Sequence, residues 1–149
     1  MNPNPTDDGS PDTWHILQAV TNESRANIIA DIVGHPQDAP SVDELDEMNS
    51  SLEKDTIRGH LSVLKDVGVV DVAEIPVGER TRGYPYKFYQ LSERARDLFD
   101  ENGLFPEEAW KRQYKRVAKS PEIRELEQMP RPSLENEENS DNSKKVTAD

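Results

Sequence analysis

Residues 50–70, SSLEKDTIRGHLSVLKDVGVV, decide how the rest of the chain is read. Ser50 or Ser51 offers a side-chain oxygen to the unpaired N–H groups that open a helix. Ile57, Leu61 and Leu64 then recur at i, i+4 and i+7, the spacing of one apolar helix face. The opposite face carries Asp55, Arg58, Gly59, Ser62 and Asp66. Gly68 stops the helix, because glycine accepts the left-handed backbone of a C-terminal cap. Gly59 costs about 1 kcal/mol in mid-helix relative to alanine. Close approach of another molecule to the bare backbone would justify that cost.

Two β-type runs follow, VVDVAEI (69–75) and YKFYQL (86–91). The segment PVGERTRGYP (76–85) between them is too long for a two-residue turn and reads as a hairpin loop. Ser92 caps a helix that turns Ala95, Leu98 and Phe99 inward, closed by Asn102 and Gly103. Pro106 suits the first turn of a last long helix, which Pro121 ends, and a weak helical turn surrounds Ile123 and Leu126. Upstream, Thr13 caps a helix holding Trp14, Ile16, Leu17 and Val20. Asn22 or Ser24 caps the next, whose stripe is Ile28, Ile29, Ile32 and Val33, stopped by Gly34 and Pro36. Ser41 and Glu44 then form the S-x-x-E capping box of a short helix ending near Asn49. The expected architecture is mainly α with a small antiparallel ribbon. Residues 1–12 read as a disordered arm, 13–105 as the domain, 106–128 as a C-terminal helix, and 129–149 as a disordered acidic tail.

Hydrophobic residues make up 33% of the 149 and charged residues 32%, so a compact core with solvated ends is expected. The absence of cysteine excludes a disulfide scaffold and thiolate metal sites. The acidic, non-apolar opening residues do not read as a signal peptide, and no run nears the roughly 20 apolar residues of a membrane span. A cytoplasmic protein is expected. The net charge of −12 opposes nucleic-acid binding at first sight, but its distribution matters. Residues 1–50 hold ten acids and one base, residues 51–88 hold six of each, and 111–119 hold five bases and no acid. An acid-rich, lysine-poor, cysteine-free composition resembles proteins of salt-loving archaea, though an ordinary acidic protein shares it. At about 1 M salt the Debye length is ~3 Å, so only close contacts between charges count.

In 56–71 (TIRGHLSVLKDVGVVD), the glycine-bearing loop and 89–99 (YQLSERARDLF), the chain resembles winged helix-turn-helix regulators of the arsenical-resistance-repressor (ArsR-like) class in their haloarchaeal form. The likeness spans about residues 13–105. It implies a recognition helix in the major groove of B-DNA, which is about 12 Å wide. The implied base-reading positions are Lys54, Asp55, Arg58 and Gly59, with Thr56 and Ser62 on the same polar surface. Arg58 suits bidentate pairing with guanine. His60 would support the helix or touch a phosphate. Wing contacts fall on Arg80 and Arg82, with Lys87 nearer the ribbon's base; Tyr84, Tyr86 and Tyr89 read as ribbon packing, Tyr84 also being within reach of a phosphate. The metal-sensing members' ligand sets are missing, so no metal or cofactor is expected and an effector is unidentified.

No glycine-rich phosphate loop, nucleophile elbow or His–carboxylate dyad points to an enzyme. The readings in order are a sequence-specific regulator, a repressor that occludes a promoter, then a winged helix used for protein contact, then a DNA-binding part in plasmid or viral replication. Trp110, Tyr114 and Val117 lie at i, i+4 and i+7 on a charged helix. That stripe either covers Leu104, Phe105 and the first helix of its own chain, or pairs with the same stripe or the Trp14 helix of a second copy. A homodimer is what the resemblance implies.

Overall fold

Ile16, Ile28, Ile29, Ile32, Leu45, Ile57, Leu61, Leu64 and Val69 are each at most 2% exposed and form one core, so the apolar faces traced above converge. A computed structural model describes residues 10–132. In chain order the elements are α1 (Ser10–Val20), α2 (Glu23–Gly34), α3 (Val42–Met48), α4 (Lys54–Asp66), β1 (Val70–Glu74), β2 (Lys87–Leu91), α5 (Glu93–Glu101), α6 (Glu107–Arg116) and α7 (Pro121–Gln128). β1 and β2 pair antiparallel, Val70 opposite Leu91 and Glu74 opposite Lys87, with a single 3-10 turn (Val77–Glu79) in the loop between them. Pro40 O accepts from Tyr89 N at 2.9 Å, laying the α2–α3 loop beside β2.

Several boundaries follow the local chemistry. Asn22 Oδ1 caps α2 through Arg25 N, and both halves of the Ser41–Glu44 capping box are present. Gly68 adopts φ 85° after α4. Val69 N then reaches Leu64 O at 2.8 Å and Gly68 N reaches Lys65 O at 3.0 Å, the two bonds of a Schellman cap. Ser92 caps α5 through Ala95 N.

Other boundaries differ from expectation. Among the described residues α1 spans Ser10–Val20, so Thr13 is inside the helix and not its cap. Neither Ser50 nor Ser51 caps α4, whose cap position is Glu53 with no side-chain bond. Leu52 N donates to Asn49 O at 2.9 Å, closing a turn between α3 and α4 that half-buried Leu52 anchors on the core, so α4 begins later. The weak turn expected around Ile123 and Leu126 is a full helix, α7, and the helix before it is shorter than expected. Val117 is extended (φ −77°, ψ 129°), which ends α6 four residues before Pro121. Pro121 opens α7, with Ser120 as its cap, because a proline's missing N–H costs nothing in a first turn.

α6 packs chiefly on α2. Gly34 permits this. A Cβ there would lie 2.7 Å from the Trp110 carbonyl oxygen and 2.9 Å from Tyr114 Cβ. Lys111 Nζ seals the contact by donating to Val33 O, His35 O and Asp38 Oδ1, which also satisfies carbonyls at the end of α2.

Residues 129–132 are not tail. Arg131 runs back beneath α3, with its side chain 5% exposed, and donates from NH2 to both oxygens of fully buried Glu44 at 2.7 Å. Its Nε reaches Ala39 O and its NH1 reaches Leu126 O and Met129 O. Gln37 N donates to His35 Nδ1, which leaves the ring proton on Nε2 facing Glu44 Oε1 at 2.7 Å. Burial would raise the Glu44 carboxyl, but His35, Arg131 and the Ser41 N–H together hold it below the usual range. The rest of the expected arm and tail lies outside the described residues.

Candidate nucleic-acid interface

α4 keeps Ile57, Leu61 and Leu64 in the core and exposes Lys54, Asp55, Thr56, Arg58, Gly59 and Ser62. A Cβ placed on Gly59 meets nothing within 4 Å, so the bare helix surface there is open to a ligand. His60 is half-buried beside this face, and burial together with nearby Arg25 lowers its pKa.

Arg58 and Lys87 line one cleft of about 360 Å³ between α4 and the ribbon. Tyr84, Tyr86 and Tyr89 line it too, so the tyrosines read as packing border the same concavity as the proposed base reader. Burial raises the pKa of Tyr89. The density of aromatic residues just before and within β2, following a polar helix face, was the signal available for these positions. Lys54 lies in the adjoining groove with Gly83 and Tyr84, bordered by Asp43, Glu122 and Glu125.

The wing does not project both arginines. Arg80 folds back on the ribbon, donating from Nε to Ile75 O at 2.8 Å, pairing with Glu74 at 3.2 Å and stacking 3.8 Å from the Tyr86 ring centroid. Arg82 is exposed and has no ion-pair partner among the described residues. Tyr84 is exposed, and its hydroxyl donates to Glu125 Oε2 of α7 at 3.3 Å.

Carboxylates accompany the cations on this face. Lys54 Nζ lies 2.8 Å from Asp43 and Arg58 NH1 lies 2.8 Å from Asp55. Hydrogen bonding to Asp43 and its charge raise the Lys54 pKa. Both pairs are solvent-exposed, and such pairs contribute about 0–1 kcal/mol, little enough for a phosphate to displace the carboxylate.

The stripe expected at a dimer interface divides. Tyr114 is 4% exposed, its ring edge-on to His35 at 5.8 Å, and is covered by its own chain because Gly34 lets α6 sit so close. Trp110 is half-buried, while Val117 and Trp14 are 40% and 60% exposed. Among the described residues no cluster of His, Cys, Asp and Glu could hold a metal ion, and no helix is long and apolar enough to cross a membrane.

Among solved structures the chain is similar to a protein with a GntR superfamily winged-helix-turn-helix domain from Halomicrobium mukohataei. The TM-score is 0.72 at 21% identity, over 91% of this chain and 97% of that one. The fold is a winged helix-turn-helix. Overlap of that extent runs past residue 105, so at least part of the α6–α7 region belongs to the shared architecture. Reduced HlyU from Vibrio cholerae aligns with a TM-score of 0.46 and 22% identity, over 63% of this chain and 87% of that one. No protein-family model matches the chain, and no curated protein matches it by sequence.

Proposed function

We propose that the protein is an ArsR-like regulator that binds double-stranded DNA in a sequence-specific manner and represses transcription by occluding a promoter. The observation that carries this is the open polar face of α4, where Arg58, Gly59 and Ser62 stand clear of the core beside the ribbon. In this reading α4 enters the major groove, Arg58 leaves Asp55 for guanine, and Arg82 meets phosphate beyond the groove. The acid-rich surface suits a cytoplasm of high salt, where repulsion between carboxylates and phosphates is screened beyond a few ångströms. A homodimer formed through Trp110, Val117 and the Trp14 helix would double these contacts on a palindromic site.

Selection of bound duplexes from random DNA in molar KCl tests the reading. The parent should yield a preferred site, and Arg58→Ala should cost about 1–3 kcal/mol and relax one base position. Equal loss on every sequence would make Arg58 a phosphate anchor, and no loss would remove α4 from the groove. A second reading, a winged helix that contacts protein, draws on the carboxylates paired with Lys54, Arg58 and Arg80. Absence of any salt-dependent DNA binding would favour it.

A further inference from the structure

A cleft of about 410 Å³ opens where α6 and α7 meet the end of α2, a size suited to a small ligand. No residue of α4 or of the wing lines it. Its walls carry Lys111, Lys115, Lys119 and Arg124 against one carboxylate, Glu127. In a chain with 30 acidic and 18 basic residues, that is a concentration of positive charge.

The four cations differ in what they are free to do. Lys111 uses its three protons on Val33 O, His35 O and Asp38 Oδ1. Lys119 pairs with Glu127 at 2.9 Å, each side chain only 7% exposed, and its ammonium lies 4.1 Å from the Tyr114 ring centroid. Those two are built into the protein and each is balanced by a carboxylate, so the uncompensated charge at the cleft comes from the other two. Lys115 and Arg124 are exposed and have no carboxylate partner among the described residues. Tyr114 and Val117 add apolar wall.

We propose that this cleft binds a small multivalent oxyanion, gripped by Lys115 and Arg124. The planar fork of Arg124 matches two oxygens of a phosphate or carboxylate, and Lys115 adds a mobile point charge. Binding there draws α6 and α7 together. α7 in turn holds the wing through Tyr84 and Glu125, and is tied to the α2–α3 loop by Gln37 Nε2, which donates to Glu127 O and Met129 O. A consequence for DNA affinity rests on the regulator reading above; the binding itself does not.

Calorimetry and thermal unfolding of the full chain, without DNA and at one fixed ionic strength, test the site with pyrophosphate and with succinate. Saturable binding with a rise in Tm is expected for the parent. Lys115→Ala with Arg124→Ala should weaken it roughly tenfold or more. Arg112→Ala with Arg116→Ala removes the same charge from α6 positions that do not line the cleft and should leave it intact. Stronger binding of pyrophosphate supports a phosphate ligand, and stronger binding of succinate a dicarboxylate. Absence of saturation, or equal loss in both double variants, overturns the proposal by reducing it to diffuse attraction. Because no DNA is present, failure of the regulator reading would leave this result unaffected.

Discussion

Replacing Arg131 by alanine removes a guanidinium that shares a nearly water-free space with Glu44. The two side chains are 5% and 0% exposed, and NH2 lies 2.7 Å from each carboxylate oxygen. Deleting one partner of a buried pair costs about 3–5 kcal/mol, since the remaining charge has lost its compensation. Ser41 N, Ser41 Oγ and His35 Nε2 still hold the carboxylate, which pulls the figure down. The Ala39, Leu126 and Met129 carbonyls lose a donor, and Phe88 loses the cation 4.4 Å from its ring, which pulls it up. The expectation is roughly 3–5 kcal/mol, or a Tm lowered by about 10–20 °C for a domain of this size. Urea unfolding followed by circular dichroism in molar KCl measures it. Glu44→Gln combined with Arg131→Met removes both charges and should recover a large part of the loss. The Glu44 carboxyl is held below its ordinary value, so its contribution is present above the unfolded-state value and lost as pH falls through the folded one. The gap between parent and Arg131→Ala should therefore narrow on acidification. A loss below about 1 kcal/mol at neutral pH would refute the anchoring role.

Burial pushes the Asp31 carboxyl up to about 6 against the opposing bond from Asn49, so folding disfavours its ionised form and the parent loses stability as pH rises from about 4 through about 6. Asp31→Asn should be more stable than the parent by about 1–3 kcal/mol at pH 7.5 and no more stable at pH 4, measured by chemical denaturation. Arg82→Ala should flatten the salt dependence of DNA affinity by about one unit in a binding titration. Arg80→Ala should leave that slope unchanged and loosen the ribbon, seen as faster amide exchange at β1 and β2. Trp110→Ala with Val117→Ala should shift a dimer towards monomer in light scattering in molar KCl, and a monomeric parent would sink that interface.

The parts of the fold that were legible in the sequence are those set by neighbours a few residues apart. The α4 stripe, the Gly68 cap, the Ser41–Glu44 box and the Ser92 cap each depend on groups within about one or two helical turns, so a short window contains their causes. Arg131 falls in a stretch whose composition is that of a tail, and its partners Glu44 and Ala39 are 87 and 92 residues away. The division of the dimer stripe has the same origin. Tyr114 is buried because Gly34, 80 positions earlier in the chain, has no side chain, and spacing within α6 carries no trace of that. At the interface, exposure on α4 followed from periodicity, whereas the inward fold of Arg80 depended on Tyr86 and Glu74 across the hairpin.

The seal between the α2–α3 region and residues 127–131 also sets an order of events. Gln37 to Glu127 and Met129, and Arg131 to Ala39 and Glu44, join points 87 to 92 residues apart. Closing so long a loop carries its entropic cost before any of these bonds forms, whereas α3, α4 and the β1–β2 ribbon assemble from near neighbours. The helix-turn-helix and ribbon should therefore form the nucleus, with the C-terminal strap arriving last. Disturbance of the strap should accelerate unfolding and leave the folding rate almost unchanged. The strap then acts as a kinetic latch, governing how long the winged helix stays folded rather than how quickly it gets there.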